Sequence, residues 1–228
     1  MSDVAVTLVT EGPTDAIVIE AALQAILPQQ QFISTRVQPS VPLGETGGGW
    51  GGVYRWLQKT TKDSPGPLSQ NPLLRHRDMI IIQVDADVAG FKYADANIVC
   101  QQNNLPCNQP CPPASNTVDS LKLVINGWVA TGTFCNKTVL CIPSQCIEAW
   151  VAAAVFGSID KNLLSDIECN KNIANYLSSK PIKDRIRKRP SDFRKIQNTL
   201  TQRWPFVEQH CPQAHAFSEA VKAAPLPA

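Results

Sequence analysis

The chain has 228 residues, of which 43% are hydrophobic and 18% charged, with a formal net charge of +2. That is enough for one α/β domain with a sizeable core, short for two, and too neutral overall to name a polyanion as partner. No apolar run approaches the ~20 residues a membrane helix needs, and Met1-Ser2-Asp3-Val4 has no basic leader, so the expectation is a cytoplasmic protein without a secretory signal or a membrane partner.

In chain order, Val4–Thr10 is β-branched and apolar and predicts a buried strand. Gly12 and Pro13 break it, and Thr14 is expected to cap a helix reaching about Leu27. Phe32–Val37 predicts a second strand. A glycine-rich stretch, Leu43–Gly52, opens a short helix over about Val53–Thr60. Met79–Val84 is the strongest strand signal and ends in Asp85-Ala86-Asp87. A helix is expected over Tyr93–Gln101, then a proline- and cysteine-rich insertion over about 103–117, then a helix over Val118–Val129. Lys137–Ile142 predicts the last strand, and Ser144 or Gln145 starts the helix that carries Glu148 and Trp150. From Asp160 onward the pattern reads as helical throughout, ending in a loose Ala/Pro tail.

Strands alternating with helices predict an α/β fold with a mostly parallel, Rossmann-like sheet covered on both faces. The expected organisation is a catalytic core over 1–157 and a helical C-terminal extension of the same domain over 158–223. In such sheets ligands sit beyond the carboxyl ends of the strands. Glu11, Asp85, Asp87 and Glu148 all follow strand ends, so four carboxylates should meet on one rim. In an extended segment, side chains at i and i+2 point the same way, so Asp85 and Asp87 should face a common ion. Clustered carboxylates repel and call for a cation, and hard oxygen donors select Mg²⁺ or Mn²⁺.

Other residues offer weaker signals. Lys180–Lys195 holds eight basic residues against two acids, the footprint of a surface that holds a polyanion or of a solvated helix face. Within it Lys183, Arg187, Lys188 and Arg194 are candidate nucleic-acid contacts. Gly48 and Gly49 could cradle phosphate at a helix start, or form an ordinary loop. Trp50 could stack on a base or staple its helix to the core. Asp15 reads as a helix-start residue. Cys100, Cys107, Cys111 and Cys135 could take zinc, although their spacing is not that of a finger. In a cytoplasmic setting the eight cysteines are not expected to build a disulfide framework.

Thr10-Glu11-Gly12-Pro13-Thr14-Asp15-Ala16 after one strand, together with Asp85-Ala86-Asp87 after another, resembles the Toprim domain. The segments Gly47–Trp56, Pro143–Trp150 and Ser191–Lys195 narrow the likeness to OLD (overcoming lysogenization defect) nucleases and small Toprim-like proteins of bacterial defence loci. The resemblance covers roughly the first 155 residues. It implies a Toprim-like core and a Mg²⁺- or Mn²⁺-dependent endonuclease acting on DNA or RNA. Glu11, Asp85 and Asp87 would be catalytic and metal-binding, and Glu148 a further metal ligand. Lys195 would assist the transition state, with Lys183 and Lys188 as alternatives. No G-x-x-x-x-G-K-[ST] motif is present, so an antiviral defence effector of this kind would work with a separate ATPase partner. The helical C-terminal third could supply a homo-oligomer interface. The competing expectation is a non-catalytic Toprim module that binds nucleic acid or a protein.

Overall fold

The computed structural model describes residues 3–39, 46–99, 102–129 and 134–226. Four strands form one sheet: β1 (Val4–Val9), β2 (Phe32–Gln38), β3 (Met79–Gln83) and β4 (Thr138–Cys141), in the order β2-β1-β3-β4. All three pairings are parallel, with Leu8 opposite Ile81 and Ile81 opposite Val139 in the centre. Strand alternation splits the apolar residues between two cores. Val4, Val6, Leu8, Met79, Ile81, Val139 and Cys141 face one side. Val9, Ile80, Ile82 and Leu140 face the other.

Helices cover both faces. On the first lie α1 (Pro13–Ile26), α4 (Glu148–Phe156), α5 (Ile173–Ser179), α6 (Pro190–His210) and α7 (Pro212–Lys222). On the second lie α2 (Gly49–Asp63) and α3 (Ala114–Asn126). The C-terminal helices belong to the main core, because α6 packs along α1 and α4. Trp150, Trp204 and Phe217 meet there, with ring centroids 5.6 Å and 6.1 Å from Trp150. The fold is therefore α/β and Rossmann-like, with an all-parallel sheet, helices on both faces and a helical C-terminal extension, as the alternating pattern predicts.

Several boundaries differ from the sequence reading. Gly12, not Thr14, is the N-cap of α1, because Pro13 takes the first helical position, where its missing N–H costs nothing. The helix α2 starts at Gly49, within the glycine run. Leu43, Gly44 and Glu45 of that run lie outside the described residues. Tyr93–Gln101 is not an α-helix. Asp95 accepts the Lys92 backbone N–H at 2.8 Å and closes a single 3-10 turn, Tyr93–Ala96, which ends where Asn97 turns left-handed. Cys100 and Gln101 lie outside the described residues. The region after Asp160 is not helical throughout, since 180–189 runs as an irregular segment between α5 and α6. One disulfide, Cys111–Cys169, joins the insertion to the chain ahead of α5 across 58 residues, against the expectation that the cysteines stay reduced.

Candidate functional site

The sheet order fixes where a site can form. From β1 the chain steps outward to β2, then returns past β1 to β3, so the winding direction reverses between β1 and β3. Beyond the carboxyl ends of these two strands lies the crevice where α/β sheets bind ligands. Glu11 leaves β1 there and the Asp85 loop leaves β3. The two are tied together: the Glu11 carboxylate accepts the Asp85 backbone N–H at 2.7 Å, and the Glu11 N–H donates to the Gln83 side-chain oxygen at 3.0 Å. The Gln83 amide in turn donates to Asp85 Oδ1 at 2.9 Å, and the Ile147 N–H donates to the same oxygen at 3.2 Å. Asp85 is thus held from β3 and from the turn that opens α4.

Four of the five acids here have pKa values pushed upward. Burial raises Glu11 to about 8, with further pushes from Asp15 and Asp87. Burial raises Asp15 to about 7, helped by Glu148 and opposed by Lys188. Asp85 is driven well above the ordinary range by burial, then by Glu11, Asp15 and Glu148. Asp87 rises to about 6 by desolvation, with Lys188 pulling it down. Asp87 is exposed as a residue. Its push therefore comes from the protein wall beside its carboxyl, and we weigh it below those on the enclosed acids. Glu148 opens α4, is 3% exposed, and its Oε1 lies 3.0 Å from Lys188 Nζ. Glu11, Asp15, Asp85, Asp87 and Glu148 therefore form one electrostatic cluster at the rim.

Asp15 is the functional candidate that the sequence reading passed over as a helix-start residue. It lies in the first turn of α1, is 1% exposed, and neither carboxylate oxygen has a hydrogen-bond partner. The N–H groups of Gly12 and of Asp15 itself pull its pKa down without completing hydrogen bonds to those oxygens. A buried, unpartnered carboxylate among other carboxylates is a strong indication of a missing cation. Its signal in the sequence is its place one helical turn after Glu11. Gln83 was also missed, although a glutamine ending the apolar strand MIIIQ is itself conspicuous.

The paired geometry expected of Asp85 and Asp87 does not hold. Asp85 is extended, but Asp87 lies in a 3-10 turn, Ala86–Gly90, so Asp85 is enclosed while Asp87 stands at the mouth. Lys195 is not brought to the cluster. Its side chain is 78% exposed and lies 4.0 Å from Asp192. Lys188 takes that place, raised net by Glu148, Asp15 and Asp85 even though burial works against its charge. Lys183, Arg187 and Arg194 are exposed on the same basic stretch.

The glycine turn meets the site through its backbone. Gly48 is the N-cap of α2, and the Gly49 N–H donates to the Glu11 carbonyl at 2.9 Å, so it braces Glu11 and is already spent as a phosphate donor. Gly49 has φ +65°, and a Cβ at Gly52 would meet the Gln38 side chain and the Gly47 carbonyl, which explains these glycines without a ligand. Trp50 is half-buried against Tyr93 and Trp128, with centroids 6.0 Å and 6.1 Å away, and serves as the staple.

The donor set fits Mg²⁺ or Mn²⁺: hard oxygens, mutually repelling, one of them unpartnered. Among the described residues, no three His, Cys, Asp or Glu side chains yet stand at the spacing that holds one ion. Closing on an ion therefore requires side-chain rotation. Zinc at the cysteines loses a thiolate, since Cys111 is bonded to Cys169. A cavity of about 210 Å³ adjoins the cluster, lined by Glu148, Asn175, Ser178, Arg187 and Lys188 among others. A larger hollow of about 280 Å³, by Val118, Thr138 and Phe217, gathers no carboxylates and is no rival. No helix of the described residues is long and apolar enough to cross a membrane. No protein-family model, no curated protein and no solved structure matches this chain.

Proposed function

We propose that the protein is a metal-dependent nuclease that hydrolyses phosphodiester bonds of DNA or RNA, with a Toprim-like site. The observation that carries this reading is the rim cluster itself: five carboxylates at the switch between β1 and β3, with both oxygens of buried Asp15 unpartnered. Asp15, Asp85, Glu148 and Glu11 would hold Mg²⁺ or Mn²⁺, with Asp87 at the mouth. Bound there, the ion would supply Lewis acidity toward a phosphoryl oxygen and lower the pKa of a water.

The chain's own groups would do the rest. Glu11 and Gln83 fix Asp85 in place. Lys188, half-exposed at the edge of the cluster, can reach a phosphate and neutralise charge that grows on it. The exposed bases Lys183, Arg187 and Arg194 supply the positive surface along which a polyanion lies. The chain has no phosphate-binding loop for ATP, so ATP-driven control, if the defence role holds, belongs to another protein.

The test is cleavage of plasmid DNA, single-stranded DNA and transfer RNA with Mg²⁺, Mn²⁺ or EDTA, comparing wild type with Asp85→Ala. Metal-dependent cleavage that vanishes in the variant supports the proposal. Tight nucleic-acid binding without turnover under any metal would move the protein to the class of non-catalytic binding modules.

A further inference from the structure

The carboxylate cluster already has a cation of its own. The Lys188 ammonium lies 3.0 Å from Glu148 Oε1. It is also the one positive group that acts on Glu11, Asp15, Asp85 and Asp87 alike. The pair is lopsided: the Glu148 side chain is 3% exposed and that of Lys188 is 56% exposed. The carboxylate is fixed in the wall while the lysine reaches in from the rim.

The Lys188 backbone is held by its neighbours. Ile186 is buried and donates its N–H to Leu177, and the Arg187 N–H donates to Asp192. The four-carbon stem of Lys188 still allows the ammonium to swing, and the cavity beside Glu148 gives it room.

One unit charge cannot serve every carboxylate, and Asp15 is left with no partner. A divalent ion would serve them better, and two cations cannot share Glu148 closely without repelling each other. We infer that Lys188 is a displaceable internal counter-ion, which neutralises the cluster in the metal-free protein and gives up Glu148 when a divalent cation binds. The inference rests on the metal reading of the site. It adds that the lysine has two stations, one on Glu148 and one facing outward, where it can meet a phosphate only after metal has arrived. Ordered binding follows, with metal first and substrate second.

The test titrates Mn²⁺ into metal-stripped full-length protein by calorimetry, for wild type and Lys188→Met. Competition between linked sites typically amounts to roughly 5- to 150-fold in affinity, so Lys188→Met should bind Mn²⁺ at least about fivefold more tightly. A second measurement needs no variant. The rate at which an amine-acylating reagent modifies Lys188 in wild type, read by mass spectrometry, should rise on adding Mn²⁺, while that of exposed Lys195 stays constant. Wild type that binds Mn²⁺ with unchanged Lys188 labelling, or a variant that binds no more tightly than wild type, overturns the inference and leaves the nuclease proposal standing. Wild type that binds no Mn²⁺ overturns both.

Discussion

The Glu11 carboxylate accepts the backbone N–H of Asp85 at 2.7 Å, so the acid that ends β1 positions the acid that ends β3. Two variants separate that bracing from the charge. Glu11→Gln keeps an acceptor for the Asp85 N–H and removes one repelling charge. Glu11→Ala leaves a buried donor unpaired, which costs ~1–3 kcal/mol. Urea unfolding should therefore rank Glu11→Gln at or above wild type and Glu11→Ala below it, while both lose cleavage.

The raised acids make stability depend on pH in a defined direction. Folding lifts Glu11 from 4.5 to about 8 and Asp15 from 3.8 to about 7. The folded protein then keeps protons that the unfolded chain releases. That contribution is complete below the unfolded values and is lost as pH rises through about 7 and then about 8. In EDTA the melting temperature should fall between about pH 5 and pH 8 by more than the ~2–4 °C that 1 kcal/mol makes in a chain of this size. Added Mn²⁺ should recover most at the alkaline end, where the carboxylates are ionised. Glu168 also rises to about 7, by burial, but it is held by Trp150 and the start of α7, away from the cluster. Glu168→Gln should therefore reduce the pH slope without changing the response to Mn²⁺.

Lysine placement gives a sharp contrast. Lys188→Met should lower the cleavage rate by roughly a hundred- to a thousandfold, the usual loss when a group that stabilises developing charge is removed. Lys195→Met should stay within roughly twofold, because exposed changes away from a site rarely exceed ~0.5 kcal/mol. Single-turnover rates at saturating Mn²⁺ measure both.

The Cys111–Cys169 disulfide closes a loop of 58 residues. Loops of 15 to 100 residues give ~3–4.7 kcal/mol on chain-entropy grounds. Cys111→Ser should lower unfolding free energy by about that amount or somewhat less, and a thiol reductant should have the same effect on wild type and none on the variant. Denaturant titration with and without reductant checks it.

How far the sequence could be read follows from the range of the forces involved. The strands β1 and β3 are legible because buried parallel strands are continuous apolar runs, and Glu11, Asp85 and Glu148 are legible because they follow such runs. Asp15 looked like an ordinary first-turn acid, since nothing local reveals that its turn of α1 faces other carboxylates. Eight bases in one stretch look alike until the irregular 180–189 segment folds back and delivers Lys188, leaving Lys195 in solvent. Cysteine pairing across 58 residues depends on tertiary structure alone. The false helix at Tyr93–Gln101 had helical composition, and one Asp95 hydrogen bond with a left-handed Asn97 outweighed it.

The most direct test of the account is Asp15→Asn, measured twice. Without metal, the variant removes a buried charge that no partner satisfies, at the expense of a buried amide. At about pH 8 in EDTA it should unfold at a higher temperature than wild type, by on the order of 1 kcal/mol or ~2–4 °C. With Mn²⁺ it should gain little further stability and should not cleave nucleic acid. An Asp15→Asn protein that cleaves as wild type does, and is stabilised by Mn²⁺ to the same degree, would contradict the claim that this cluster is a metal site for phosphodiester hydrolysis.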